Sequence, residues 1–184
     1  MFGPEMMHKD AKSYSPLVPD LLVEGLDLVF CGTALGFTSA KKKAYYAHPG
    51  NRFWPTLFEV GLTPTLLQPV QYPELLNHRI GLTDLIKTQK GNDKDIKFGP
   101  DSRDNLLEKI ELYRPNTLAF TSKKAASIFF NCSTSKLHYG EQKEKVENTA
   151  IFVLPSSSGA AIRHWDIRPW VELKRRLNCQ RSRV

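Results

Sequence analysis

Four short apolar runs punctuate an otherwise mixed chain, at 26–32 (LDLVFCG), 79–85 (RIGLTDL), 117–122 (TLAFTS) and 150–155 (AIFVLP). Three of them are nearly continuous rather than alternating, the pattern of strands covered on both faces of a parallel sheet. Between them, apolar residues recur at helical spacing over 51–60, 102–113, 123–130 and 165–177. The first of these helices stops at Gly61, and the second lies between Pro100 and Pro115. Strands alternating with helices predict an α/β fold: a three-layer α/β/α sandwich around a central, mainly parallel four-stranded sheet. Residues 1–20, polar and rich in proline, read as a loose lead-in. Residues 21–178 read as a single domain, and 179–184 as a basic C-terminal tail.

In open α/β sheets, ligands gather beyond the carboxyl ends of the strands. Three unusual segments fall there: GTALGFTSA (32–40), TDLIKTQKGNDKD (83–95) and SSSGAAIRHW (156–165). Gly32 and Gly36 flank a turn where backbone N–H groups are able to approach a bound group closely. Neither GxGxxG nor GxxxxGK[ST] is present, which weighs against a nucleotide-binding enzyme. Lysine and arginine exceed the acidic residues to give a net charge of +7, which suits a polyanionic partner. Cys31, Cys132 and Cys179 form no CxxC pair, so neither a zinc ribbon nor a cysteine-held iron–sulfur cluster is expected. The chain contains no apolar run of the roughly 20 residues needed to span a bilayer, and its start does not read as a signal peptide. A cytoplasmic, nucleoid-associated location is expected.

The segment 30–54, FCGTALGFTSAKKKAYYAHPGNRFW, carries the most specific signal. It resembles the first motif of the uracil-DNA glycosylase superfamily, in particular the mismatch-specific uracil/thymine branch. There a strand ends in GxNPG, followed by Ser-Ala and then an aromatic, Ala-His-Pro and Asn-Arg-Phe-Trp. The similarity continues through GLT (61–63), RIGLTDL and LPSSSGAAIR (154–163), where the family has LPNPSG. It covers roughly residues 25–178. The resemblance implies a monofunctional glycosylase that flips uracil out of DNA, hydrolyses its N-glycosidic bond and leaves an abasic site. Uracil-containing DNA is the implied partner, with no metal, cofactor, membrane or obligate protein partner, and the chain is expected to act as a monomer. Tyr46 matches the aromatic that stacks on the flipped base. Gly32, Thr33, Ala34, Ser39 and Asn51 match its other base-binding positions, with Asn51 and His48 also read as holding the loop and capping the next helix. Ser157, Ser158, Gly159, Ala160, Ile162, Arg163 and Lys42 are the implied DNA contacts, Ile162 or Arg163 filling the gap left by the base.

Two positions depart from the family. Ala34 stands where Asn positions the attacking water, and Ser156 where the second motif has Asn or His. The altered motif GTALG leaves the water-activating group open among Asp101, Asp84 and Ser156, with His164 as a further acid. Structural readings compete: Asp101 as a first-turn helix charge, Asp84 as a turn residue. Hypoxanthine or mismatched thymine as substrate, and a DNA-binding relative without catalysis, also remain open. Uracil is a fair leaving group once its developing charge is hydrogen-bonded, so flipping and electrostatics are able to supply much of the rate.

Overall fold

The computed structural model describes residues 16–99 and 101–182. Residues 1–15 of the expected lead-in, Pro100 and the last two residues of the expected tail lie outside the described residues. Five strands, β1 (Leu28–Leu35), β2 (Ile80–Lys90), β3 (Thr117–Phe120), β4 (Gly140–Val146) and β5 (Thr149–Val153), form one sheet in the order β2-β1-β3-β5-β4. The pairs β1/β2, β1/β3 and β3/β5 are parallel, and β4 runs antiparallel to β5.

The sheet therefore has five strands, not four. The fifth, GEQKEKV, escapes an apolar-run reading because it is an edge strand whose residues are mostly polar. It is made by a hairpin that pairs Val146 with Thr149 across a two-residue turn, with Glu147 at φ 49°.

Alternate residues of β1 feed two separate cores, which explains its continuous apolar sequence. Leu28 and Phe30 pack on one face, Val29 and Cys31 on the other. The first face is covered by α2 (Phe53–Glu59) and α5 (Arg168–Arg181), with Phe30, Phe53 and Trp170 in mutual ring contact at 5.2–6.1 Å. The second is covered by α3 (Asp101–Tyr113) and α4 (Lys123–Phe129) through Leu106, Ile110, Ala125 and Phe129. Truncating Phe30 to Ala would cost about 3–5 kcal/mol. The stretch 16–20 lies along β2: Val18 is fully buried, and Leu17 N–H donates to Lys87 O at 3.1 Å.

Two departures from the expected elements shape the site. A short helix, α1 (Phe37–Lys42), follows β1, and β2 continues to Lys90, five residues beyond its expected end. The β1/β2 register jumps between Ala34, opposite Ile86, and Leu35, opposite Lys90. The extended strand thus delivers the turn at 91–95 beside the end of β1, where Gly91 N–H donates to Leu35 O at 2.9 Å. At the other end, 3-10 geometry takes up Gly159–His164, so the last helix starts at Arg168 rather than 165.

Candidate active site

A crevice of about 670 Å³ opens at the carboxyl ends of β1, β2, β3 and β5. Its wall begins with the β1 turn, in which Gly32, Thr33, Ala34 and Ser39 all line the space. The next wall is the loop 43–51, which aims Tyr46. Lys43 ends α1 at φ 49°, and Tyr46 itself sits at φ 52°, an unusual conformation for a bulky residue. Such a residue costs of order 1–3 kcal/mol and persists only where its surroundings impose it. They do so here through several bonds. Ser39 Oγ accepts from Ala47 N–H at 3.0 Å, and Tyr45 O accepts from the Trp54 indole at 3.1 Å. Asn51 Oδ1 accepts from Phe53 N–H at 2.9 Å, and His48 Nδ1 from Gly50 N–H at 3.0 Å. One face of the Tyr46 ring is stacked on Phe53, with centroids 3.8 Å apart and planes within 17°, and its hydroxyl meets Thr121 Oγ1 at 3.3 Å. The phenol is thus clamped at both ends while its ring lines the crevice.

The floor is Asp84. Its carboxyl lies so close to Gly32 that a Cβ there would stand 2.5 Å from Asp84 Oδ1, so any side chain at 32 would displace the carboxyl. Asp84 is 3% exposed, and Oδ2 has no hydrogen-bond partner among the described residues. The nearest cation, Lys87 Nζ, is 3.8 Å away, beyond hydrogen-bond reach. Lys87 is engaged elsewhere, by Asp20 at 3.1 Å and by the Tyr45 hydroxyl. Burial therefore pushes the Asp84 carboxyl up to about 7, the Asp20 charge adding to the effect and Lys87 and Lys109 opposing it. Asp20, one layer behind, goes the other way. Burial alone would raise it, but Lys87, Lys109 at 2.7 Å and Thr83 Oγ1 at 2.7 Å together hold it below its ordinary value. Burial, then the nearby Asp84 charge, lifts the Tyr46 phenol well above its usual range, which keeps it neutral.

The rim is solvated. Thr33 donates its hydroxyl to Asp93 Oδ1, on the turn carried by β2. Asn92 and Lys94 from the same turn, and Lys124 from α4, also line the space. Opposite them, Ser156 Oγ accepts from Ser158 N–H at 3.3 Å, and Ser157 is buried with its carbonyl accepting from Arg52 N–H at 2.8 Å. Gly159 packs against the 43–51 loop: a Cβ there would approach Gly50 O to 3.0 Å. Ala160 lines the crevice, and Ile162 (46% exposed) and Arg163 project from the adjacent 3-10 turn.

Most residues expected from the sequence thus converge on one crevice; Gly159, Ile162 and Arg163 flank it without lining it, and two others lie away from it. Asp101 is exposed in the first turn of α3 and is not among the lining residues, and Lys42 is exposed at the end of α1, off the crevice. The structure adds Asp93, Thr121 and Lys124. Thr121 and Lys124 follow the end of β3, so the rule that ligands gather at strand ends was sufficient to find them. Asp93 lay within a segment already singled out, but its approach to Thr33 depends on the extension of β2. A second hollow, of about 610 Å³, lies at the amino end of β2 beside Arg79, whose guanidinium pairs with Asp27 at 3.0 Å. Among the described residues, no helix is long and apolar enough to cross a membrane, and no group of three or more His, Cys, Asp or Glu is placed to hold a metal ion.

The architecture matches the solution NMR structure of a candidate uracil DNA glycosylase from Methanosarcina acetivorans. The TM-score is 0.62 at 24% identity, covering 88% of this chain and 96% of that one, which establishes a shared fold. The family profile described as the uracil DNA glycosylase superfamily matches residues 19–176, from just ahead of Asp20 to the middle of α5. That span contains every wall of the crevice, and the chain belongs to the uracil DNA glycosylase superfamily.

Proposed function

We propose that the chain is a DNA glycosylase that flips a lactam base, uracil first, into this crevice and hydrolyses its N-glycosidic bond, as in base excision repair. The observation that carries this reading is the juxtaposition of a clamped aromatic ring, Tyr46, with a buried carboxyl, Asp84, whose Oδ2 accepts no hydrogen bond among the described residues, in one crevice. A flipped base laid on the Tyr46 ring, on the side away from Phe53, would gain about 1–3 kcal/mol of stacking. Its far edge then meets Asp84, which is neutral below about pH 7. A neutral carboxyl offers one donor and one acceptor side by side. That is the complement of a lactam edge, C=O beside N–H, found in uracil, thymine and hypoxanthine.

The same group serves the chemistry. As the glycosidic bond breaks, its electron pair leaves on the base, and a donor aimed at the base carbonyl from the buried floor stabilises that charge. In this reading Ser157, Ser158 and Gly159 would bind phosphate through the backbone. Ile162 or Arg163 would fill the vacated stack, which offsets the few kcal/mol that flipping costs. Two departures, Ala34 and Ser156, keep hypoxanthine or mispaired thymine as the alternative substrate.

The test is a panel of labelled duplexes carrying U opposite A, U opposite G, T opposite G, or hypoxanthine, incubated with the protein and then cleaved with alkali. Breaks at U alone support uracil excision, and breaks chiefly at hypoxanthine or mispaired T move the substrate. Salt-sensitive binding with no breaks at any base would reduce the protein to a DNA-binding relative and refute the reading.

A further inference from the structure

Resting on the glycosylase reading, we propose that Asp93 is the carboxylate that positions and deprotonates the attacking water, in the role left vacant by Ala34. The water must reach the sugar carbon C1′, which stays at the mouth of the crevice when the base points inward. A group on the floor beyond the base is too deep to meet it, and this removes Asp84 (3% exposed) from that task. Asp101 is outside the crevice, and Ala34 has no polar side chain. Ser156 has its Oγ engaged by Ser158 N–H and carries no charge to accept a proton.

Asp93 meets the requirements. It lines the crevice, it is exposed, and one carboxyl oxygen is fixed by the Thr33 hydroxyl, immediately before Ala34. Among the described residues it makes no other hydrogen bond, so its second oxygen remains for water. The turn that carries it is anchored. Gly91 N–H donates to Leu35 O at 2.9 Å, Asp95 N–H to Asn92 O at 2.8 Å, and the buried Ile96 pins the far side. The carboxylate is thus a preorganised group on a braced turn, supplied by β2 because β1 lacks it.

The step balances as a hydrolysis. The water oxygen bonds to C1′, one water proton passes to Asp93, and the bond from C1′ to the base nitrogen breaks with its electron pair leaving on the base. The base anion regains a proton from Asp84 or solvent, and Asp93 releases its proton to solvent.

Single-turnover excision with the full chain tests this, comparing wild type, D93N, T33V and the neighbouring control D95N on the preferred duplex of the panel above. Binding of a duplex containing non-cleavable 2′-fluoro-2′-deoxyuridine is measured in parallel. D93N is expected to slow excision by about 100- to 1,000-fold, as loss of a general base does, with binding changed by less than about threefold. T33V, which frees the carboxylate, is expected to lose about tenfold. Asp93 is exposed, so the melting curves of D93N and wild type should coincide. Excision by D93N within about twofold of wild type, or an equal loss in D95N, would overturn the assignment while leaving the glycosylase intact. A wild type that cuts none of the duplexes would instead overturn the reading on which it rests.

Discussion

The floor and the rim of the crevice are built on opposite principles. At the floor, Asp84 is sealed between Gly32 and Tyr46 with no hydrogen bond to Oδ2, while the cation that would neutralise it, Lys87, is turned toward Asp20 and the Tyr45 hydroxyl. At the rim, Asp93 is solvated and braced by a hydroxyl. Desolvation makes the first a carboxyl that holds its proton to about pH 7. Environment alone thus sets the two carboxyls apart, and under the proposal the deep one donates to a base while the shallow one handles water. Asp20 sharpens the lesson. It is partly buried only one layer behind Asp84, yet two lysines and Thr83 satisfy it, so it stays charged and structural.

Perturbing the floor should have the largest effect. D84A removes the donor to the leaving base and is expected to lower single-turnover excision by about 100- to 1,000-fold. D84N should behave quite differently. A carboxamide has the same donor–acceptor pair as a neutral acid, so excision should stay within about tenfold of wild type. At subsaturating duplex, where the free protein's titration governs, wild-type activity should decline as Asp84 ionises above about pH 7, and D84N should lack that limb. If D84N is as damaged as D84A, the charged form is the working one and the contrast between floor and rim fails.

Stability follows the same group with a definite sign. Folded Asp84 keeps its proton to about pH 7, whereas the unfolded side chain ionises near its ordinary 3.8. Between those values the folded chain binds more protons, so stability falls as pH rises through the window. The melting temperature of D84N relative to wild type should therefore climb across that range, by several degrees if the penalty is about 2 kcal/mol or more. An unchanging difference would show that the floor is not desolvated.

Next in size is the wall. Y46A should cost about 100-fold in excision through lost stacking, and Y46F, which keeps the ring on Phe53, only a few-fold. I162A should cost about tenfold, through weaker support of the flipped state, without altering which base is chosen. Smallest is K124A, which should reduce the slope of log affinity against log salt by about 1 and leave the excised base unchanged.

The strands that form the crevice were legible because each is apolar on both faces, and the segment after β1 was legible because glycines, tyrosines and His-Pro cluster there. β4 was not, since an edge strand of Glu, Gln and Lys carries no apolar signal. Asp84 was visible at a strand end, but its burial was not, because that depends on Lys87 turning toward Asp20, more than sixty residues earlier in the chain. Asp101 looked as eligible as Asp93 in sequence. What separates them is the register jump beyond Ala34, which extends β2 and seats Asp93 on Thr33 while α3 begins outside the crevice.

The most direct test of the central claim is carbon-13 NMR of the aspartate carboxyls, with D84N used to assign Asp84, in the free protein and bound to a duplex containing 2′-fluoro-2′-deoxyuridine. Asp84 is expected to titrate near 7 when free and, with its O–H donating to the base carbonyl, to stay protonated to higher pH in the complex. An Asp84 signal that titrates in the ordinary carboxylate range, or that responds identically to a duplex lacking uracil, would contradict it.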